Sequence, residues 1–554
     1  MNNPFVMTAL AVVGWCLSAP TRPDSYPKNP GIDALNYAFT IELSDTTDAI
    51  VGEMAMDVRF VGAGVRAVRL DLIAANAAAT NAATGGTGMR VSGVTLDGTA
   101  VPYTHADDAL VVPLASAPAV NTRARLVVRY RGTPATGLKI GKNKHGDRTF
   151  FSDNWPDKAR HWLPTIDHPS DKATSEFLVT APGHYQVVSN GLQVESTDLP
   201  GGRRRTHWKN SVPIAPWLYV LGVARFAVQR VGTFEGKPIE TCVYPQDRDA
   251  GFADFATPTK DVLAYYSNYV GPFAYERLAN IQSSSVSGGM EAASAILYSE
   301  NAVTGTGSVR WRNVVIHEIA HQWFGNAVTE ADWDDVWLSE GFATYFTLLY
   351  IEHAYGRDEF VRGLQSSRST VMSFTAKNPA YTIIHQNLSQ MEDVTSSHTY
   401  QKGSWTLHML RGVIGHEAFQ RGIRAYYARH FNGNATTADF RRAMEEASGQ
   451  PLGWFFEQWL YKPGTLTVAG HWSYDAAAKQ VRVVLEQVQR DGSQFTMPVE
   501  IGVYQQGQPV PVIERVRITG ASNVFTIDAP TEPEQVRLDP NLWVLMDATF
   551  EKRR

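Results

Sequence analysis

The period of the hydrophobic pattern changes twice along the chain, and that change limits the folds open to it. From about Asn36 to Arg230, apolar residues recur at every second position in short segments such as AMDVRFV (Ala55–Val61), ARLVVRYRG (Ala124–Gly132) and EFLVTAP (Glu176–Pro182). Alternation at period two turns one face of a strand inward, and the Gly, Pro and Asn between segments mark turns. A large antiparallel β domain is the expectation. Near Thr233 the spacing becomes helical, in Thr257–Val270, Val309–Phe324, Asp335–Tyr350, Lys402–Val413, Glu417–His430 and Thr437–Ser448. After Pro463 alternation returns in Gln480–Gln489, Pro498–Tyr504 and Val510–Ile518, which reads as a short C-terminal β-sandwich. With 554 residues the chain exceeds what one hydrophobic core usually serves. The implied fold is multidomain α+β, divided at residues 20–232, 233–463 and 464–554. Ala74–Thr87 (AANAAATNAATGGT) reads as a low-complexity loop.

Residues 1–19 stand apart. Phe5–Ala19 (FVMTALAVVGWCLSA) is an apolar run followed by a polar, proline-rich stretch. It is short for a membrane span and fits the apolar core of a signal peptide, with a small residue at the cleavage position. The preceding MNNP carries no Lys or Arg, a departure from that pattern. Export to a periplasmic or extracellular space is expected; the alternative is an N-terminal tail on a cytoplasmic enzyme. Loss of that run would leave Cys242 as the remaining one of two cysteines, so no internal disulfide is expected. No other apolar run reaches the ~18 residues of a membrane helix, so the mature chain is expected without a span, as a monomer. The net charge of −5 and the lack of a long basic run argue against a nucleic-acid partner.

His317-Glu318-Ile319-Ala320-His321 forms H-E-x-x-H. Residues four apart share a helix face, so two imidazoles can reach one ion. The helix is expected from Ser308 to Gly325, apolar nearly all round through Val314, Val315, Ile316, Ile319, Ala320, Trp323 and Phe324. Two histidines and a glutamate buried there would be costly without a partner, and a metal with its water would supply one. Glu340 lies 19 positions after His321, at the start of a second helix. His₂Glu leaves the fourth position of a zinc ion open, which is a catalytic rather than a structural arrangement.

HEIAHQWFGNAVTEADWDDVWLSEGFATYF (His317–Phe346) resembles the core of the aminopeptidase N and leukotriene hydrolase family of zinc metallopeptidases. That family separates the second histidine from the glutamate by 18 residues, and residues 322–339 fill the gap here. Gly288-Gly289-Met290-Glu291, placed 26 residues before His317, is similar to the family's G-x-M-E-N motif. Tyr400-Gln401-Lys402-Gly403 is similar to the segment carrying its catalytic tyrosine, and RHWLPTIDHPSDKATSEFLVTAP (Arg160–Pro182) extends a weaker likeness. The resemblance runs from about residue 36 to 463. It implies an N-terminal β saddle, a thermolysin-like, mostly helical catalytic domain and a β-sandwich. The tail here is too short for the large helical domain that often follows, which is expected to be absent.

The resemblance also implies roles. One Zn²⁺ per chain would be held by His317, His321 and Glu340, with Glu318 as general base. Tyr400 would stabilise the oxyanion. Glu291 would bind the free α-ammonium of a peptide substrate, and Gly288, Gly289 and Met290 would line its path. Where the family has Asn after this glutamate, the chain has Ala292, which puts the grip on the N-terminal residue in doubt. Glu392 and Asp393 could border a pocket for basic side chains, though a solvated loop is the favoured reading; Trp333 and Trp337 are read as core. An aminopeptidase is the leading expectation. A broad or endo-acting zinc peptidase, an epoxide hydrolase of the same family and a non-catalytic peptide-binding module are the alternatives.

Overall fold

The computed structural model describes residues 25–75, 86–385, 388 and 390–553. The expected signal segment, and most of the low-complexity stretch at Ala74–Thr87, lie outside the described residues.

The N-terminal region is built on an eight-stranded sheet. Its central strand, Ile32–Glu42, alternates buried and half-buried residues as its sequence requires. It pairs antiparallel with Ile50–Phe60 and parallel with Ala173–Pro182. The sheet is therefore not purely antiparallel, which corrects the expectation. More than a hundred residues separate the two parallel partners, ample for the crossover that a parallel pair needs. A second sheet holds Leu138–Lys142, Arg148–Ser152, Gln186–Ser189 and Leu221–Ala224. Tyr37, Phe39, Phe177 and Tyr219 pack as an aromatic cluster in the core of this region, with centroids 5.0–6.3 Å apart.

A five-stranded mixed sheet opens the next region. Ala227–Phe234 and Lys237–Val243 form its edge hairpin, followed by Leu278–Ser283 and Ala295–Ser299 in parallel, with the two-residue strand Gly289–Met290 antiparallel to the last. Cys242 is free and buried in this sheet. Helices then dominate: α1 (Arg248–Tyr269), α2 (Val309–His321), α3 (Trp337–Tyr355), α4 (Arg357–Lys377) and α5 (Gly403–Ile414). The helical path of α1 breaks at Thr257–Pro258, since proline removes a donor and crowds the preceding turn.

Two expectations about α2 need correction. It ends at His321 rather than Gly325, and its first half is not buried. Val309 is 56% exposed, because Arg310, Arg312 and Asn313 make this turn polar; burial begins at Val315. Trp333 and Trp337 are buried, whereas Glu392 and Asp393 lie exposed in a short turn.

The C-terminal region holds seven strands between Leu466 and Lys552, in sheets of four and three. Leu466–Asp475 and Met546–Lys552 pair in parallel. Among the described residues, no helix is long and apolar enough to cross a membrane.

Candidate active site

Three elements meet over the mixed sheet. Helix α2 carries His317, Glu318 and His321, the first turn of α3 carries Glu340, and the chain at the sheet edge carries Glu291. The backbones of α3 and α5 touch where Gly341 meets Gly403, and a Cβ at either position would stand 3.1 Å from the other glycine's Cα. That contact carries the wide π turn His398–Lys402, and with it Tyr400, against Glu340. Wide turns of this kind commonly mark functional positions in helices.

His317 Nε2 and His321 Nε2 lie 3.0 Å apart. Glu340 Oε2 is 3.2 Å from the His321 nitrogen and 3.5 Å from that of His317. Donor atoms sharing one tetrahedral zinc at ~2.0–2.1 Å stand about 3.3 Å apart, so these three distances bracket the requirement. Glu340 Oε2 is also buried without a hydrogen-bond partner, a costly position for a carboxylate oxygen unless it meets a cation. The chemistry of the set therefore fits zinc. His321 Nδ1 donates to the Phe324 carbonyl at 3.1 Å and lies 3.1 Å from Ser339 Oγ. A carbonyl can only accept, so Nδ1 holds the proton and Nε2 is left to face the ligands.

The field of the pocket is negative. Burial opposes charge on His321, yet the Glu291 and Glu340 carboxylates raise its imidazole to about 10. Burial would raise Glu340, but His321 and His317 hold it down to about 2. Burial lifts Glu291 to about 7. Burial and then the Glu291 charge lift Glu318 well above the usual carboxylate range. Glu291, Glu318 and His321 form a second convergent group. It shares His321 with the first, and the Nδ1 nearest Glu291 is already bonded to the Phe324 carbonyl.

Every residue singled out for a metal or catalytic role converges here. Tyr400 Oη donates to Glu340 Oε1 at 2.8 Å, and its ring stacks on that of His317 with centroids 6.1 Å apart. A Cβ on Gly289 would collide with the Glu318 carboxylate, so the strand Gly289–Met290 runs directly over that acid. Met290 is buried, Gly288 is half-exposed beside it, and the Gly288 carbonyl accepts from Ser299 N at 2.8 Å. Ala292 is buried and brings no polar group. Sequence reasoning passed over Ser339, Gln322 and Asn326, which bond to this machinery from behind. For Gln322 and Asn326 the signal was available: two amides next to a metal-binding helix in an otherwise apolar stretch.

Comparisons with known proteins agree on one family. The Peptidase M1 N-terminal domain matches residues 33–218 and the Peptidase family M1 domain matches residues 256–459. Glutamyl aminopeptidase of Mus musculus is 29% identical over 345 residues, 58% of this chain and 35% of that protein. The chain thus spans about a third of the length of the curated relatives it matches. Among solved structures, aminopeptidase A of Legionella pneumophila in complex with aspartic acid superposes with a TM-score of 0.79 at 18% identity, covering 96% of this chain and 61% of that one. An M1 zinc metallopeptidase of Deinococcus radiodurans gives a TM-score of 0.66 at 23% identity, covering 77% of this chain and 93% of that one. With two M1 domains matched over more than half its length and a His-His-Glu set that fits zinc, the chain belongs to the M1 peptidase family.

Proposed function

We propose that the chain is a zinc-dependent aminopeptidase that removes N-terminal residues from peptides. The observation that carries this reading is the placement of Glu291. Its carboxylate is buried beside the ligand set, with Oε1 3.9 Å from His321 Nδ1. A carboxylate so close to the hydrolytic centre can hold an α-ammonium only when the scissile bond is the first one.

His317, His321 and Glu340 would hold the metal. Zinc, when bound, supplies a Lewis acid that lowers the pKa of water toward ~7 and polarises a carbonyl. Glu318 takes the proton of the attacking water on its carboxylate and returns it to the leaving amine nitrogen. A carboxyl raised above its usual range suits both transfers near neutral pH. The Tyr400 phenol is lifted well above 10 by burial and by Glu340. It therefore stays a donor, for the carbonyl oxygen that gains charge. Gly289 leaves room for the Glu318 carboxylate, which a Cβ there would displace.

The finer architecture of a β saddle, a thermolysin-like centre and a C-terminal sandwich belongs to the same reading. So do action as a monomer and, from the Phe5–Ala19 run, export. The relatives' names add an acidic first residue as the substrate class to try first. A broader or endo-acting peptidase is the second reading, favoured by Ala292, whose methyl cannot help align the first residue.

A panel of aminoacyl chromogenic substrates, each with free and acetylated amines and with and without chelator, tests this. Cleavage confined to free amines and abolished by chelator is expected. Equal cleavage of the acetylated set would remove the exopeptidase reading, and indifference to chelator would remove the metal.

A further inference from the structure

Among the described residues, no side chain donates a hydrogen bond to Oε1 of the Glu291 carboxylate. Oε1 is buried without a hydrogen-bond partner. Its position must then come from the backbone that carries it. That backbone is gripped by side-chain amides. Gln322 Nε2 donates to the Glu291 carbonyl at 3.0 Å, while Gln322 Oε1 accepts from Ser294 N at 3.0 Å. Asn326 Nδ2 donates to the same Glu291 carbonyl at 2.6 Å. Both amides are fully buried. From the other side, Asn190 Nδ2 donates to the Ala293 carbonyl at 2.7 Å and Gly191 N donates to Ser294 Oγ at 2.8 Å.

The origin of the grip matters. Gln322 is the residue after the ligand His321, and Asn326 N donates to the His321 carbonyl at 3.1 Å. Asn326 is itself tied down, since its carbonyl accepts from Lys172 Nζ at 2.9 Å and from Thr329 Oγ1 at 3.0 Å. Both clamp residues are thus fixed to the end of α2, and they span the 291–294 segment at both ends through Glu291 O and Ser294 N. These two amides tie the end of the metal helix directly to the backbone that carries Glu291. The grip acts on the main chain alone, so it does not need a polar side chain at Ala292.

We propose that Gln322 and Asn326 are positioning residues that set the preference for a free N-terminal amine, holding Glu291 at fixed reach from the metal helix. This rests on the assignment of Glu291 to the α-ammonium.

The test compares kcat/KM for a free-amine aminoacyl chromogenic substrate with that for its acetylated counterpart. It uses the zinc-loaded full chain and the variants Gln322→Met, Asn326→Leu and Glu291→Ala, with zinc content and melting temperature checked for each. Gln322→Met keeps the volume and removes both hydrogen bonds to the 291–294 segment, together with a longer one to the Glu318 carbonyl at 3.4 Å. Loosening the clamp is expected to raise KM for the free-amine substrate at least tenfold, with a smaller change in kcat, and to cut the free-to-acetylated ratio by a similar factor. If Gln322→Met or Asn326→Leu does not fold, Asn326→Ser reads the same ratio and is expected to lower it at least threefold. Folded, zinc-loaded clamp variants with an unchanged ratio, beside a Glu291→Ala variant that loses its preference, would overturn the clamp alone. A ratio indifferent to Glu291→Ala would overturn the amine assignment and the clamp with it.

Discussion

The Tyr400 hydroxyl donates to Glu340 Oε1 at 2.8 Å, so the phenol keeps its proton and the carboxylate of the third member of the His-His-Glu set accepts it. Two backbone features produce the pairing. Gly341 and Gly403 let α3 and α5 touch, and the wide turn His398–Lys402 swings Tyr400 toward the ligands. In the proposed reaction the phenol would exchange this carboxylate for the substrate oxygen as charge builds there.

Tyr400→Phe keeps the ring that stacks on His317 and removes the donor. Losing one oxyanion donor typically costs ~10²–10³ in kcat, and that range is expected with zinc content unchanged. Steady-state kinetics with elemental analysis of the variant decide it; wild-type kcat in a zinc-loaded variant would rule out the role.

Glu318→Gln preserves shape and removes the proton acceptor. A positioned general base contributes ~10²–10⁴, so turnover should fall by at least the lower figure while the metal stays bound. A fully active variant would assign the base elsewhere.

Gly289→Ala probes the strand lying over Glu318. The added methyl would collide with the carboxylate, and either the strand or the acid must shift. A displacement of about 1 Å in such a site can cost ~10² in rate. A loss of that order in kcat/KM is expected with the melting temperature nearly unchanged, because the site is half-exposed. Activity within twofold of wild type would show that the close approach has no bearing on turnover.

The convergence of His317, His321 and Glu340 into one set able to hold a metal was legible because the histidine spacing is a helix property and the glutamate opens the next helix. Most helices were legible from apolar spacing, and Thr437–Ser448 was read to the residue, its N-terminus closed by a capping box between Thr436 and Asp439. Helix α4 was missed. Its buried residues are Phe360, Leu364, Ser367 and Val371, and a serine in that series interrupts the apolar repeat. The parallel pairing of Ile32–Glu42 with Ala173–Pro182 was also missed, because alternation shows which face is buried but not which strand lies alongside. The backbone clamp on Glu291 was beyond reach from sequence, since it joins side-chain amides to carbonyls more than 30 residues away.

Lys402 offers a test of the turn that carries Tyr400. It is fully buried, and its ammonium donates to the Gly464 carbonyl at 2.9 Å, at the entry to the C-terminal strands. Burial lowers it from 10.5 to about 7. Between those values the unfolded chain binds a proton that the folded chain does not, so stability rises with pH across that window and is lost as pH falls back through it. His398 in the same turn is lowered to about 3 by burial and then by Lys402. It stays neutral throughout the window and adds no slope. Lys402→Met removes the titration and the bond to Gly464 together. The lost bond shifts stability by a constant, whereas the lost titration changes its slope. Urea unfolding of both proteins at pH 6, 8 and 9.5 should show the wild type gaining on the variant from pH 8 to 9.5. Parallel dependence on pH would mean that Lys402 remains charged in the fold, with its cost met by groups other than the Gly464 carbonyl.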